Sequence, residues 1–203
     1  MNRVIFGGKD VIPSKIVCVG RNYVEHIKEL ENEIPEEIVL FIKPNSSISE
    51  KLIKPEKKAR YEGEICFIIK NGEIAGIGFG LDLTLVEEQE KAKKKGLPWE
   101  KAKAFDKSAV FSEFVPVKTF NNVKIELYIN GTLRQEGDTS LMIYKPEEII
   151  KEISKYFSLE DYDIVMTGTP KGVGLVKEGD VYKGRIIVDG KVLVEKNWTV
   201  EKD

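Results

Sequence analysis

Apolar residues fall along this chain in short runs separated by turn-forming residues. Runs at 4–6, 16–19, 38–42, 64–69, 74–85, 111–117, 123–129, 163–166, 181–188 and 192–200 are rich in β-branched and aromatic residues, and they predict strands. The dipeptides Asn71-Gly72, Asn130-Gly131 and Asp189-Gly190 each separate two such runs, a strong short-range hairpin signal. Helical patterns are few. Asn22 is placed to cap a helix over 23–31, with Ile27 and Leu30 on one side. A second pattern covers 85–95 and stops at Gly96, with Leu97-Pro98 beyond. A third covers 146–156, with Pro146 in its first turn and Ile149, Ile150 and Ile153 as an apolar stripe. Many hairpins with scattered helices predict a mainly β, α+β fold, largely antiparallel, with helices on its rim. Alternating βαβ units are missing, which argues against a Rossmann-type nucleotide fold. No linker or repeat interrupts the pattern, so the expectation is a single domain over 1–203.

Composition narrows the function classes. Of 203 residues, 41% are hydrophobic, enough for a true core. Lys plus Arg (32) and Asp plus Glu (34) nearly balance, for a net charge of -2, so no basic excess exists to hold nucleic acid or an anionic membrane. Cys18 and Cys66 lie inside apolar runs and form no CxxC pair; they read as small buried hydrophobes. The segment MNRVIFGGKD has no signal-peptide core, and no apolar run approaches about 20 residues. The expectation is a soluble cytoplasmic protein.

Four constellations could carry chemistry. In Tyr61-Glu62-Gly63-Glu64-Ile65-Cys66, residues two apart share a strand face, so Glu62 and Glu64 are neighbours on a face that continues into Cys66 and Ile68. Either they are two solvated carboxylates at a strand end, or a cation lies between them. Asp82 sits inside the apolar run 76–84, where Asp is uncommon. Hairpin pairing through Asn71-Gly72 can bring it to the two glutamates. Three carboxylates without Cys or further His suit a hard cation, Mg²⁺ or Mn²⁺, rather than zinc. His26, the single histidine, has Glu29 three residues on. The pair is either a surface i,i+3 contact or a general base oriented by its carboxylate. The run Thr167-Gly168-Thr169-Pro170-Lys171-Gly172-Val173-Gly174 lacks the phosphate P-loop pattern; it is either a plain tight loop or one whose backbone approaches a small anion. The stretch 94–106, with its Leu97-Pro98-Trp99 sequence, reads on its own as a solvated helix end and a turn.

Taken in order, Val19-Gly20-Arg21-Asn22-Tyr23, Glu62-Gly63-Glu64, Leu81-Asp82-Leu83-Thr84, Lys95-Gly96-Leu97-Pro98-Trp99 with Ala102-Lys103-Ala104-Phe105-Asp106, and Thr167–Gly174 resemble the fumarylacetoacetate hydrolase family. The likeness runs from about Lys15 to about Gly184 and is strongest to the acylpyruvate hydrolase and oxaloacetate decarboxylase-type branch. It implies a mixed β-roll or sandwich with peripheral helices, usually a homodimer. It implies Glu62, Glu64 and Asp82 as ligands of Mg²⁺ or Mn²⁺, and Lys103 against a substrate oxygen. His26 with Glu29 then activates water, Gln89 supports the oxyanion, and Thr169 and Lys171 lie in the substrate loop. Arg21 and Tyr23 fall in the signature at the mouth of the site. One departure stands out. The branch commonly carries Asp-x-Thr-Ala-Arg-Asp, and here Val86 occupies the arginine's place; Arg21 and Lys171 are the candidates to replace it.

Residues and resemblance together predict a metal-dependent hydrolase that cleaves a C–C bond in a small 2,4-dioxo acid through an enolate held at the metal. The alternatives are a decarboxylase or an isomerase or tautomerase of a small oxo-dicarboxylic acid, of the oxaloacetate or hydroxyheptadienedioate type, on the same site, and a non-catalytic metal-binding homologue. The expected partner is a small oxo acid, with no nucleic acid and no membrane.

Overall fold

A computed structural model of the chain describes residues 1–31, 35–118, 120 and 122–202. All three turn dipeptides close hairpins as expected. Strand Ala59–Lys70 pairs with Glu73–Leu85, Val123–Ile129 with Thr132–Asp138, and Val181–Val188 with Lys191–Thr199. Each turn has both residues at positive φ, 53° and 76° at Asn71-Gly72 for example. That is the mirror-image turn whose twist matches the flanking strands.

The larger sheet is mixed. Its order runs Val39–Pro44, Lys15–Gly20, Ile164–Met166, Ala59–Lys70, Glu73–Leu85, Ala109–Phe111, Ile48–Ser49. Ile164–Met166 runs parallel to Lys15–Gly20 and antiparallel to Ala59–Lys70. A four-stranded antiparallel sheet, built from the 123–138 and 181–199 hairpins, packs on one face of it. The main core lies between them, joining Ile65, Phe67, Phe79, Leu81 and Leu83 to Ile125, Leu127, Tyr182, Ile186 and Trp198. A second cluster, with Cys18, Cys66, Ile68, Phe111, Phe114 and Met166, covers the opposite face. Both cysteines are fully buried, in keeping with their reading as hydrophobes.

Strand Glu73–Leu85 shows how period-2 patterning builds the two faces. Ile77, Phe79, Leu81 and Leu83 point into the main core, while Gly76, Gly78 and Gly80 alternate on the other side. A Cβ at those glycines would lie 2.6 Å from the Phe6 ring, 2.9 Å from Phe114 and 2.5 Å from Cys66 Sγ. The glycines let rings pack onto bare backbone, and the same face then continues into Asp82 and Thr84.

Four expectations are corrected. Helix α1 spans Val24–Glu29, and Asn22 does not cap it. Instead, buried Asn22 donates from Nδ2 to the Tyr144 and Thr167 carbonyls and accepts from the Tyr144 N–H, pinning distant segments together. The single run 111–117 divides into Ala109–Phe111 and Val115–Pro116, because the residues between turn to the N-terminal hairpin: Phe114 N–H donates to Ile5, and Gly8 N–H to Glu113. Helix α4 covers Pro146–Ile153, shorter than 146–156. Helix α2, Val86–Lys95, ends where expected, at Gly96 with φ 62°. Residues 100–103, read as a turn, form the one-turn helix α3, Glu100–Lys103. No helix among the described residues is long and apolar enough to cross a membrane.

Candidate active site

The pairing of Ala59–Lys70 with Glu73–Leu85 sets Glu62 directly opposite Asp82, with Glu64 two residues along on the same face. Carboxylate oxygens of all three lie within 4.8 Å of one another. None is solvated: Glu62 is 5%, Glu64 2% and Asp82 1% exposed, which dismisses the reading of an exposed strand end. Helix α3 delivers Lys103, whose Nζ donates to Glu62 Oε2 at 2.8 Å and to Asp82 Oδ2 at 2.6 Å. Arg60 reaches Glu62 Oε1 through Nε and Nη2, and Thr84 donates to the same oxygen at 2.9 Å.

The charge balance is uneven. Burial acts to raise the Glu62 pKa, but Lys103 and Arg60 outweigh it and hold that carboxyl below the usual range. Glu64 goes the other way. Burial, then the Asp82 and Glu62 charges, push it well above the ordinary value, although the Gly168 N–H donates to its Oε2 at 2.9 Å. Asp82 Oδ1 is ion-paired with buried Lys43 Nζ at 2.9 Å but receives no aligned hydrogen bond. Oxygen-only donors, an Asp82 Oδ1 without a hydrogen bond and a destabilised Glu64 anion are what a hard divalent cation would satisfy. The three residues fit Mg²⁺ or Mn²⁺, with waters or substrate completing the shell.

The pocket over the triad is also lined by Arg21, His26, Arg60, Gln89, Lys93, Trp99, Lys103 and Thr169. His26 is buried, and its Nδ1 lies 3.1 Å from Glu29 Oε2. Glu29 also accepts from the Gly172 N–H at 3.0 and 3.2 Å, joining α1 to the 167–174 loop. That dual use makes the dyad more than a surface pair. Gln89, on the inner face of α2, accepts from Arg60 at 2.7 Å. Thr169 Oγ1 donates to the Gly63 carbonyl at 2.8 Å, so the 167–174 loop is fastened to the strand carrying Glu62 and Glu64.

Two expected residues stand elsewhere. Tyr23 lies in the main core beside Met142, buried rather than at the mouth, and burial followed by the Glu64 and Asp138 charges pushes its phenol pKa up. Lys171 is 65% exposed and turns outward to Glu25 at 3.7 Å. Val86 begins α2 and does not line the pocket.

Sequence reasoning missed three supports. Lys43 is wholly buried; its Nζ donates to the Ser108 hydroxyl and carbonyl at 3.0 and 3.2 Å and to the Lys103 carbonyl, fixing α3 behind Asp82. Arg60 precedes Glu62 by two residues, a spacing that by itself signals only a shared face. Gln135 lies on a distant hairpin. Its Oε1 accepts from the Gly63 N–H at 2.9 Å, and its Nε2 donates to Thr169 Oγ1 at 2.8 Å and to the Pro170 carbonyl at 2.7 Å. No local signal marks it.

Known proteins are similar to this chain over most of its length. It is 43% identical over 187 residues to the oxaloacetate tautomerase YcgM of Escherichia coli strain K12, covering 82% of this chain and 85% of that one. It is 39% identical over 202 residues to the mitochondrial oxaloacetate tautomerase FAHD1 of Bos taurus, covering 89% and 91%. The crystal structure of fumarylpyruvate hydrolase from Pseudomonas aeruginosa in complex with Mn²⁺ and pyruvate superposes with a TM-score of 0.89 at 28% identity, covering 100% of this chain and 96% of that one. Residues 15–197 match the family described as fumarylacetoacetate (FAA) hydrolase C-terminal, and this chain belongs to that enzyme family.

Proposed function

We propose that the protein is a metal-dependent keto–enol tautomerase of a small 2-oxo dicarboxylic acid of the oxaloacetate type. The observation that carries this reading is a hard-oxygen cation site and an imidazole–carboxylate pair facing one pocket. The curated relatives named as oxaloacetate tautomerases support it over the hydrolase expected from sequence. Glu62, Glu64 and Asp82 would hold a Mg²⁺ or Mn²⁺ ion, which would supply Lewis-acid charge for the 2-oxo acid end of the substrate. The Lys103 ammonium, its pKa lowered by burial but raised further by Asp82 and Glu62, stays protonated and offers N–H to the oxygen that becomes negative in the enolate. With its Nδ1–H assigned to Glu29, His26 presents Nε2 as the basic nitrogen. Nε2 takes a proton from C3 of the keto form; water protonates the C2 oxygen and the hydroxide so formed takes the proton from the imidazolium, leaving neutral His26, water and the enol, and the reverse sequence restores the ketone. Glu29, anchored on Gly172, keeps the ring in that tautomer and stabilises its protonated form.

A second reading is favoured by the same dyad. With water in place of the C3–H, His26 would activate it against the distal carbonyl of an acylpyruvate, and the C–C bond would break to leave an enolate. Decarboxylation would reach the same enolate by loss of CO₂. The deciding experiment follows oxaloacetate enol absorbance, CO₂ release and acetylpyruvate cleavage side by side, with Mg²⁺ and with EDTA. Metal-dependent loss of enol absorbance without CO₂ supports the tautomerase. Pyruvate plus acetate from acetylpyruvate moves the assignment to the hydrolase. Turnover that survives chelation overturns both.

A further inference from the structure

Besides Lys103, three cations line the pocket: Arg21, Arg60 and Lys93. They are close enough to repel. Burial lowers the Lys93 pKa, and the Arg21 and Arg60 charges lower it further. Arg60 is committed to Glu62 and Gln89. Arg21 differs. Among the described residues its side chain makes no hydrogen bond or ion pair, and its Nε is buried without a partner. Leaving a guanidinium nitrogen in that state is costly unless an anion completes it.

Its backbone is unusual as well. Arg21 has φ 57°, in the left-handed region that a long side chain seldom adopts. The strain persists because the next residue is clamped. Asn22 bonds the Thr167 carbonyl at 2.8 Å and the Tyr144 N–H at 2.8 Å, and its own carbonyl accepts from Ile143 at 2.8 Å. A strained, over-determined backbone that delivers an unpaired cation to a pocket wall is the signature of a ligand contact.

We propose that Arg21 is the specificity residue of this site: its guanidinium receives the second carboxylate of a 2-oxo dicarboxylic acid, within a positive field completed by Arg60 and Lys93. This rests on the site being one for oxo acids, as proposed above. Lys171, the other residue that could have replaced the arginine missing at Val86, is turned away toward Glu25. A pocket wall that holds a guanidinium whose buried Nε lacks a partner penalises any ligand that leaves it unpaired, so the second carboxylate is selected rather than merely tolerated.

Calorimetric titration of the Mg²⁺-saturated protein tests this without turnover. The probes are difluorooxaloacetate, which has no C3–H, and pyruvate, which has no second carboxylate. The wild type is expected to bind the dicarboxylate at least about tenfold more tightly. R21N suits the positive φ and removes the charge; it should abolish most of that preference while Mg²⁺ binding persists. If R21N does not fold, R21K decides, because lysine keeps the charge and loses the fork: a preference lowered severalfold supports the assignment. An undiminished preference in either variant overturns it and leaves the oxo-acid reading standing. A wild type that binds Mg²⁺ but neither oxo acid overturns that reading, and the role of Arg21 with it.

Discussion

Gln135→Leu is the substitution that best exposes how the fold holds the site. The two side chains are similar in volume, and Gln135 is 1% exposed, so the change removes hydrogen bonds without opening a large cavity. Three contacts go. The Gly63 N–H, between the two glutamates, loses its acceptor at 2.9 Å. Thr169 Oγ1 loses one of its partners but still donates to Gly63, and the Pro170 carbonyl loses a donor at 2.7 Å. A buried donor left alone costs roughly 1–3 kcal/mol, and an under-satisfied carbonyl less. The expected loss is about 2–4 kcal/mol of unfolding free energy, read from urea denaturation at neutral pH. Gln135 does not line the pocket, so its functional effect runs through the position of Thr169 and the 167–174 loop. KM for the oxo acid should therefore rise more than kcat falls. A variant within about 0.5 kcal/mol of wild type with unchanged KM would refute the coupling of that hairpin to the site.

Glu29→Gln weakens both the Gly172 latch and the His26 contact; kcat should fall at least about tenfold while Mg²⁺ affinity, measured by titration, stays put. Gly80→Ala places a Cβ 2.5 Å from Cys66 Sγ and 2.9 Å from the Phe111 ring, an overpacking expected to cost about 1–3 kcal/mol in denaturation. Adding Cys66→Ala should recover part of that loss. Asp163→Asn tests a pH dependence. Burial alone would raise the Asp163 pKa, but Lys15, Ser14 and the backbone N–H groups of Glu160 and Lys15 reverse this and hold it below the carboxylate range. Asn in either orientation turns an NH₂ toward existing donors, so neutral-pH stability should drop by about 3 kcal/mol. Because the folded pKa is the lower one, wild type keeps this advantage above about pH 4 and loses it as pH falls further. A gap that remains unchanged down to pH 3 would contradict the assignment.

Much of this molecule was legible in its sequence because the signals were local. Asn71-Gly72 fixes a two-residue turn, and with it a register that sets Glu62 opposite Asp82. Gly96 stops α2 through the left-handed conformation it alone adopts cheaply. The exceptions follow from partners far along the chain. Asn22 looks like a helix cap, but its side chain is claimed by Tyr144 and Thr167. Lys43 and Gln135 look like surface polar residues on strands until the fold wraps carbonyls and N–H groups around them. Tyr23 sits in a shared motif, yet helix α1 leaves it on the core side. The sequence reading kept hydrolysis, decarboxylation and isomerisation open for a chemical reason: in the proposed chemistry all would pass through one enolate, stabilised by the same residues.

Strand Ile164–Met166 bears on how the molecule comes into being. It lies between Lys15–Gly20 and Ala59–Lys70, and the bond from Ser14 to Asp163 spans 149 residues of chain. Such pairings must close long loops before they gain anything, which slows folding. The hairpin carrying the three carboxylates forms from neighbouring residues, whereas Thr169, the Gly172 anchor and the Asn22 clamp wait for that late strand. By this topology the acidic hairpin forms before the pocket that encloses it, and tight binding of the proposed cation would report the final step of folding rather than its beginning.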